Sequence, residues 1–277
     1  MSILFTIAKI TITEAVRRRF IVAGVLVCAV FVLLAFLPFH PRVPFLTPEE
    51  RDSLIGAEMA ARGSSITAFF SLLFSVALGA GAISGEIERG VLSVVIPKPI
   101  SRLSVYLGKW LGINVFILPF VVLWTATLQW AIVRHVHHAV PGLWSAIGIL
   151  MLYPLVFSSL TMLFSAMTSS LLATILPMIL ASTAWSEGIL KAFGNFFHIH
   201  VLLTLANVVI YLAPLNPLSR WVEKALDQPI LQMVPVSAVR GAPDPPAGPV
   251  DMCWIVGYGL IALIAGAVVF QRRDIGS

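Results

Sequence analysis

A segment between residues 84 and 109 combines charges with an apolar helical body in a way that suits contact with another protein. Ser84 can cap a helix, and Glu86 and Glu88 would lie in its first turn, where the helix dipole favours acidic side chains. The apolar body ends at Pro97. We therefore predict a short helix over residues 86–96 that inserts into a partner's cleft, the alternative being a solvated connector. The residues predicted to form this contact are Glu86, Glu88, Arg89, Gly90, Leu92, Val95 and Pro97.

The end of this segment predicts a turn followed by a new helix. Pro99 lies in the turn, and Ser101 can cap the helix that follows. Arg102 and Lys109 come just before a long apolar run. We therefore expect both cations near the surface of a membrane.

The histidines could bind a transition metal, because imidazole is a common metal ligand near neutral pH. His135 and His138 could share an ion, and so could His198 and His200. No cysteine or methionine cluster accompanies them, and no H-E-x-x-H spacing occurs. The alternative is that these histidines lie at helix ends near the membrane surface. We predict no metal and no other cofactor.

Four polar side chains stand inside or beside apolar runs. Asn114 and Gln129 are about four helical turns apart and share a helix face, so they could line a conduit. They could equally form hydrogen bonds between helices of one subunit. Glu14 and Glu187 lie at the edges of apolar runs, which favours capping or interfacial roles.

The composition is that of a membrane protein. Of the 277 residues, 58% are hydrophobic and 11% are charged, whereas soluble domains have about 25% charged residues. From Ala139 to Ser186 there is no Asp, Glu, Lys, Arg or His. One span needs about 20 apolar residues, so this stretch holds two helices and a turn. The net charge of +5 then reflects basic residues at cytoplasmic helix ends, and nucleic-acid binding is not expected.

The apolar runs predict an all-α polytopic protein, with one transmembrane domain over residues 1–277. Its six predicted spans are 20–37, 66–83, 110–133, 143–167, 171–186 and 252–270. Residues 84–109 connect the second and third spans. Before the second span, Thr47-Pro48-Glu49-Glu50 has the pattern of a capping box and predicts a short helix outside the membrane.

Residues 2–19 predict an amphipathic elbow helix that lies on the membrane surface. Polar residues recur along it at helical spacing, and apolar residues fill its other faces. The charged residues of this predicted interface are Lys9, Glu14, Arg17, Arg18 and Arg19. The three consecutive arginines suit the anionic headgroups of membrane lipid.

The distribution of basic residues predicts the orientation. Six spans place both termini on one side, and that side collects most of the lysines and arginines in short segments. We therefore place both termini and residues 84–109 in the cytoplasm, and we expect a multi-pass protein of the inner (plasma) membrane.

Residues 187–251 are predicted to form an outer loop. Within it, residues 196–214 are apolar but include His198, His200 and Asn207. They could form a seventh span or a re-entrant pair of short helices. A seventh span would place Arg272 and Arg273 outside, so we favour the re-entrant pair.

Residues 85–112, GEIERGVLSVVIPKPISRLSVYLGKWLG, resemble the signature of type-2 ABC exporter permeases. The resemblance consists of an acidic pair, a glycine, an apolar run, a Pro-Ile-Ser-Arg turn and a Gly-Lys pair that opens the next span. TEAVRRRF (13–20) is similar to the family's elbow helix, and FQRRDI (270–275) to its tail. Val91 departs from the threonine that is usual at its position.

The resemblance implies that two permeases form a dimer. Each docks on a cytoplasmic ATPase subunit through a coupling helix, here residues 86–96. No G-x-x-x-x-G-K-[ST] motif occurs in the chain, so it is not expected to hydrolyse ATP itself. The length and the outer loop are similar to those of permeases linked to the maturation of copper enzymes.

Two alternative functions stay open at this point. The protein could pass the work of an ATPase to an outer-side protein without moving a substrate, or it could be an ion-coupled transporter. The lack of acidic residues in the middle of the spans and of inverted repeats counts against ion coupling. The expected partners are the ATPase, a second copy, membrane lipid and, in the first alternative, an outer-side protein.

Overall fold

The computed structural model describes residues 3–17, 19–36, 47–90, 101–209, 215–226 and 247–273. These ranges form helices joined by turns, and no β-strand occurs in them, in agreement with the predicted all-α class. In chain order the helices are α1 (Ile3–Arg17), α2 (Phe20–Phe36), α3 (Pro48–Gly79), α4 (Ser84–Glu88), α5 (Arg102–Val136), α6 (Gly142–Leu150), α7 (Leu152–Met167), α8 (Ser170–Phe196), α9 (His200–Val209), α10 (Leu215–Leu226) and α11 (Pro249–Arg272).

Several helices are apolar enough to cross a membrane. Within the described ranges, four segments also have the length to do so: Pro48–Glu88, Arg102–Val136, Gly142–Met167 and Pro249–Arg272. Two shorter apolar segments are Phe20–Leu33 and Ser170–Ser182. Each predicted span overlaps one of these segments, which is consistent with a multi-pass membrane protein. The count of six spans stays a prediction.

Helix α5 lies at the centre of the bundle and packs against α1, α2, α3 and α7. Trp124 of α5 is fully buried, and its indole Nε1 donates a 2.8 Å hydrogen bond to the carbonyl of Gly24 in α2. Phe74 of α3 meets the Trp124 ring edge-on, with centroids 5.5 Å apart. These contacts join α2, α3 and α5 into one core.

The capping box at Thr47 is confirmed, but the helix it starts is longer than predicted. The backbone N–H of Glu50 donates to Thr47 Oγ1, and the backbone N–H of Thr47 donates to the Glu50 carboxylate. The prediction of a separate short helix is wrong, because α3 runs unbroken from Pro48 to Gly79. No proline interrupts it after Pro48, and Gly63 packs closely on Leu128 of α5.

Helix α8 also extends beyond its predicted end at Ser186 and continues to Phe196. Glu187 lowers the hydropathy there without ending the helix, because glutamate is a good helix former. The chain then turns at His198, which has φ +54°, and α9 packs back on α8. Helix α9 has ten residues, about 15 Å, so this described part is too short to span a bilayer. Its insertion into the membrane stays a prediction.

Helix α10 covers the first turns of α6 and α11. Its buried face consists of Pro217, Leu218, Val222 and Leu226. Arg220 Nη2 lies 3.2 Å from the Asp251 carboxylate of α11, and Ser145 Oγ of α6 donates 2.9 Å to the Ala225 carbonyl. This part of the predicted outer loop is therefore fixed to the bundle.

Candidate functional site

The first part of the connecting segment is bonded to α7. The hydroxyl of Ser165 in α7 accepts hydrogen bonds from the backbone N–H groups of Ile83 and Ser84, at 3.2 and 3.0 Å. Both serine hydroxyls also lie 2.7 Å from the carbonyl of Ala80. The predicted cap at Ser84 is wrong, because Ser84 is the first residue of α4 and its side chain bonds the preceding turn. Ser165 supplies the acceptor instead.

Helix α4 is shorter than the helix predicted over residues 86–96. It ends at Glu88, and Gly90 has φ +68°, a conformation that interrupts a right-handed helix and that glycine adopts readily. The prediction of one unbroken helix is therefore wrong. Arg89 is exposed, and its guanidinium Nε donates 2.8 Å to the Gly85 carbonyl. The predicted contact residues Leu92, Val95 and Pro97, and the predicted turn at Pro99, lie outside the described residues.

Glu86 pairs with a buried cation of α5. Lys109 Nζ lies 2.5 Å from Glu86 Oε1 and donates 2.7 Å to the carbonyl of Ala82. Lys109 is 7% exposed, so its ammonium group is enclosed by the protein, and its position near the membrane surface stays a prediction. Burial is possible because a carboxylate and a carbonyl satisfy the ammonium together. The acidic side chain predicted to face a partner is thus engaged inside the protein.

Glu88 caps a different helix. The carboxylate of Glu88 accepts hydrogen bonds from the backbone N–H and the hydroxyl of Ser170, at 2.9 and 2.8 Å. Ser169, the N-cap residue of α8, makes no side-chain capping bond of its own. Glu88 lies beyond the span predicted at 66–83, and the bonds from Ser170 lower the pKa of its carboxyl from the ordinary value. The segment is therefore joined to α8, a contact that no local pattern in the sequence predicts.

The end of the segment is fixed to α7 and α11. Ser101 caps α5 as predicted, because its hydroxyl accepts a 3.2 Å bond from the backbone N–H of Ser104. Arg102 Nη1 donates to the carbonyls of Gln271 and Arg273, at 3.2 and 2.6 Å. Arg273 Nη1 in turn donates 2.7 Å to the Ala166 carbonyl at the end of α7. Arg102 thus binds the end of α11.

The elbow helix α1 lies against the same part of α5. Gly108 and Gly112 allow the approach, since a Cβ at Gly112 would lie 2.8 Å from the carbonyl oxygen of Ala8. Glu14 lines a cleft together with Glu86 and Lys109. Among the predicted interface cations of the elbow, Lys9, Arg17 and Arg19 are exposed, and Arg18 lies outside the described residues.

The sequence profile of the family described as ABC-2 family transporter protein matches residues 5–275. The chain belongs to the ABC-2 transporter family. It is therefore a membrane permease component of an ABC transporter, and ABC-2 members are membrane subunits rather than ATPases. A comparison with curated proteins gives no match.

Two amides of the ABC-2 permease, predicted to line a conduit, have different surroundings. Asn114 Nδ2 donates a 2.9 Å bond to Ser158 Oγ of α7, which is the predicted alternative of a bond between helices. It also donates a 2.9 Å bond to the Trp110 carbonyl of its own helix. Gln129 is 6% exposed, and neither the nitrogen nor the oxygen of its amide has a hydrogen-bond partner among the described residues. Asn114 therefore holds α5 against α7, and a conduit role for Gln129 stays a prediction.

The four histidines of the ABC-2 permease that were considered as metal ligands lie at helix ends or in the turns beside them. His135 is in the last turn of α5, and His138 follows that helix and is exposed. His198 and His200 are exposed at the turn between α8 and α9. Within the described ranges, no three His, Cys, Asp or Glu side chains are grouped to hold a metal ion.

Proposed function

We propose that this ABC-2 permease exports a substrate across the inner membrane as a dimer, driven by a separate cytoplasmic ATPase that docks on residues 91–100. The observation that carries the proposal is that the chain on both sides of residues 91–100 is bonded to the transmembrane helices. A free connector would need no such attachments, whereas an element that transmits force does.

The attachments lead to several helices at once. Before residues 91–100, Ser84 is bonded to α7, Glu86 to α5 and Glu88 to α8. After them, Arg102 is bonded to the end of α11. A displacement applied by a docked ATPase would therefore be passed to four helices of the bundle.

The internal bonds also change which residues are proposed to contact the ATPase. Glu86 and Glu88 position the segment, because their carboxylates are engaged by Lys109 and Ser170. Arg89 is exposed and keeps its place in the proposed contact surface, together with the apolar Leu92 and Val95. An apolar centre with a charge at its edge is the usual composition of a docking surface.

The experiment is co-purification of the ATPase with tagged permease variants. Leu92→Asp combined with Val95→Asp places two charges in the proposed apolar contact, and retention of the ATPase should fall by about tenfold or more, equivalent to about 1.4 kcal/mol. Arg89→Glu should reduce retention less. Arg51→Glu, the same charge change at the opposite end of α3, is the matched control.

Permease abundance in the membrane is measured in parallel. A loss of ATPase at unchanged permease abundance supports the docking surface. Full retention by the Leu92/Val95 double variant and by Arg89→Glu would assign docking to another surface.

A second candidate function, transmission of work to an outer-side protein, is favoured by one observation. Glu88 is bonded to the first residue of α8, and the other end of α8 carries the turn to α9 about 40 Å away. One helix thus connects the docking segment with the opposite side. An outer-side protein that co-purifies with the permease, and whose state changes with ATP in the absence of transport, would favour this function.

A further inference from the structure

The turn between α8 and α9 carries a group of exposed apolar side chains. Phe193 and Phe197 stack with ring centroids 6.0 Å apart, and Phe196 meets Phe197 edge-on at 4.9 Å. Phe196 is 78% exposed and Val201 is 67% exposed. Contiguous apolar groups of this kind mark contact with a partner or with a membrane.

We propose that this outer tip, defined as Phe193, Phe196, Phe197, Ile199 and Val201, is a lipid anchor. It binds at the boundary between the acyl chains and the headgroups of the leaflet opposite residues 84–109. The occupant is bulk membrane lipid, and the anchor fixes the end of α8 at a set depth.

The scarcity of charge around the tip favours lipid over water or a protein, and Lys191 is the nearest charged residue before it in the sequence. From Ala192 to Ser219 there is no Asp, Glu, Lys or Arg. A protein-docking surface normally has a polar rim and is enriched in arginine. The outer end of α3 shows the contrast, because Glu49, Glu50, Arg51 and Asp52 follow one another there. That end suits water, and the tip does not.

The length of α8 places the tip at the right depth. Its 27 residues measure about 40 Å, and its first residue is held by Glu88 on the side of the connecting segment. A bilayer is about 30 Å thick in hydrocarbon and about 40–45 Å with its headgroups. The tip therefore reaches the far boundary of the hydrocarbon. Helix α9 then returns by about 15 Å, half the hydrocarbon thickness.

The first part of α8 also exposes apolar side chains. Leu171, Ile175 and Ile179 are exposed along the helix and are apolar, as lipid-facing residues are. Among the described residues, α9 packs chiefly against α8, which in turn packs against α7 and α3. Lipid at the tip supplies a second fixed point for α8, at the end opposite Glu88.

The test measures the depth of a nitroxide spin label at the tip. Cys28→Ala and Cys253→Ala remove the two native cysteines, and Phe196→Cys or Val201→Cys carries the label in nanodiscs of phosphatidylcholine and phosphatidylglycerol. Both positions are highly exposed, so folding should tolerate the label. Collisions with oxygen report the acyl region, and collisions with a water-soluble nickel chelate report the aqueous phase.

Two control positions define the aqueous end and the hydrocarbon end of the depth scale. Glu49→Cys on α3 should report water, and Ile179→Cys on α8 should report hydrocarbon. The lipid anchor predicts several-fold fewer nickel collisions at both tip positions than at Glu49, and a depth between the two controls. Nickel collisions equal to those at Glu49 would overturn the lipid anchor and leave an outer-side protein as the partner of the tip. Neither result depends on ATPase docking.

Discussion

Lys109 Nζ lies 2.5 Å from Glu86 Oε1, and the two residues flank the same connecting segment from opposite sides. Lys109 is almost fully buried, while the side chain of Glu86 is about three-quarters buried. The pair therefore joins the entry of the segment to its exit inside the protein. The proposed mechanism depends on this connection, because a force on residues 91–100 reaches the bundle through both ends.

Removal of the cation should destabilise the permease. Lys109→Met leaves the Glu86 carboxylate without its partner, and the loss of one member of a buried pair costs about 3–5 kcal/mol. Adding Glu86→Gln should restore much of the loss, because no unpaired charge then remains. Thermal unfolding in detergent measures both variants, with the exposed Lys9→Met as control. Equal stability of Lys109→Met and wild type would show that the pair does not hold the segment.

Removal of the Glu88 carboxylate should loosen the start of α8. Glu88→Ala deletes the acceptor for the backbone N–H and hydroxyl of Ser170, so the first turn of α8 should exchange its amide hydrogens faster. Hydrogen–deuterium exchange of the peptide over residues 168–176 measures this effect, with Glu49→Ala as control. Unchanged exchange in that peptide would mean that the cap is dispensable.

A larger residue at Gly112 should displace the elbow helix. A Cβ there would lie 2.8 Å from both the Ala8 carbonyl oxygen and Thr11 Cβ, and a backbone atom cannot be moved cheaply. Gly112→Val should therefore make a cysteine at Ala8, which is buried in the wild type, reactive towards a maleimide. Gly257→Ala is the control, because a Cβ there meets no atom within 4 Å. If the cysteine of Ala8→Cys stays unreactive towards the maleimide in the protein that also carries Gly112→Val, that result would contradict the close packing.

The bond between Asn114 and Ser158 should contribute modestly to stability. Hydrogen bonds between transmembrane helices average about 0.6 kcal/mol, with a maximum of about 1.7 kcal/mol. A double-mutant cycle of Asn114→Leu and Ser158→Ala should give a coupling energy in this range. The same cycle with Asn114→Leu and Thr127→Val, an intrahelical hydroxyl of α5, should give no coupling. Coupling in both cycles would point to a general loosening of α5.

Local signals in the sequence predicted the structure well where neighbouring residues determine it. The capping bonds at Thr47 and Ser101 involve residues three positions apart, and both are present. Contacts between residues that are far apart in the sequence were not predicted in this way. Nothing near Ser84 indicates that Ser165 supplies its hydrogen-bond acceptor, 81 residues away.

The partners of the candidate site were missed for the same reason. Glu86 and Glu88 were predicted to face a protein because exposed charges at a helix start suit docking. Their actual partners, Lys109 and Ser170, belong to helices whose positions only the folded bundle determines. Hydropathy also predicted that the fifth helix ends with its apolar run at Ser186, which is too early. The helix continues past Glu187, because helix formation does not require apolar residues.

The most direct test of the proposed mechanism is photo-cross-linking from the connecting segment. A photoreactive phenylalanine analogue is placed at Leu92 or Val95 in cells that express the complete transporter, and at Glu49 as the opposite-side control. Irradiation should cross-link the first two positions to a protein that contains a G-x-x-x-x-G-K-[ST] motif and binds ATP, and should give no such product from Glu49. The absence of this product from Leu92 and Val95, at wild-type permease abundance, would contradict docking of an ATPase on this segment.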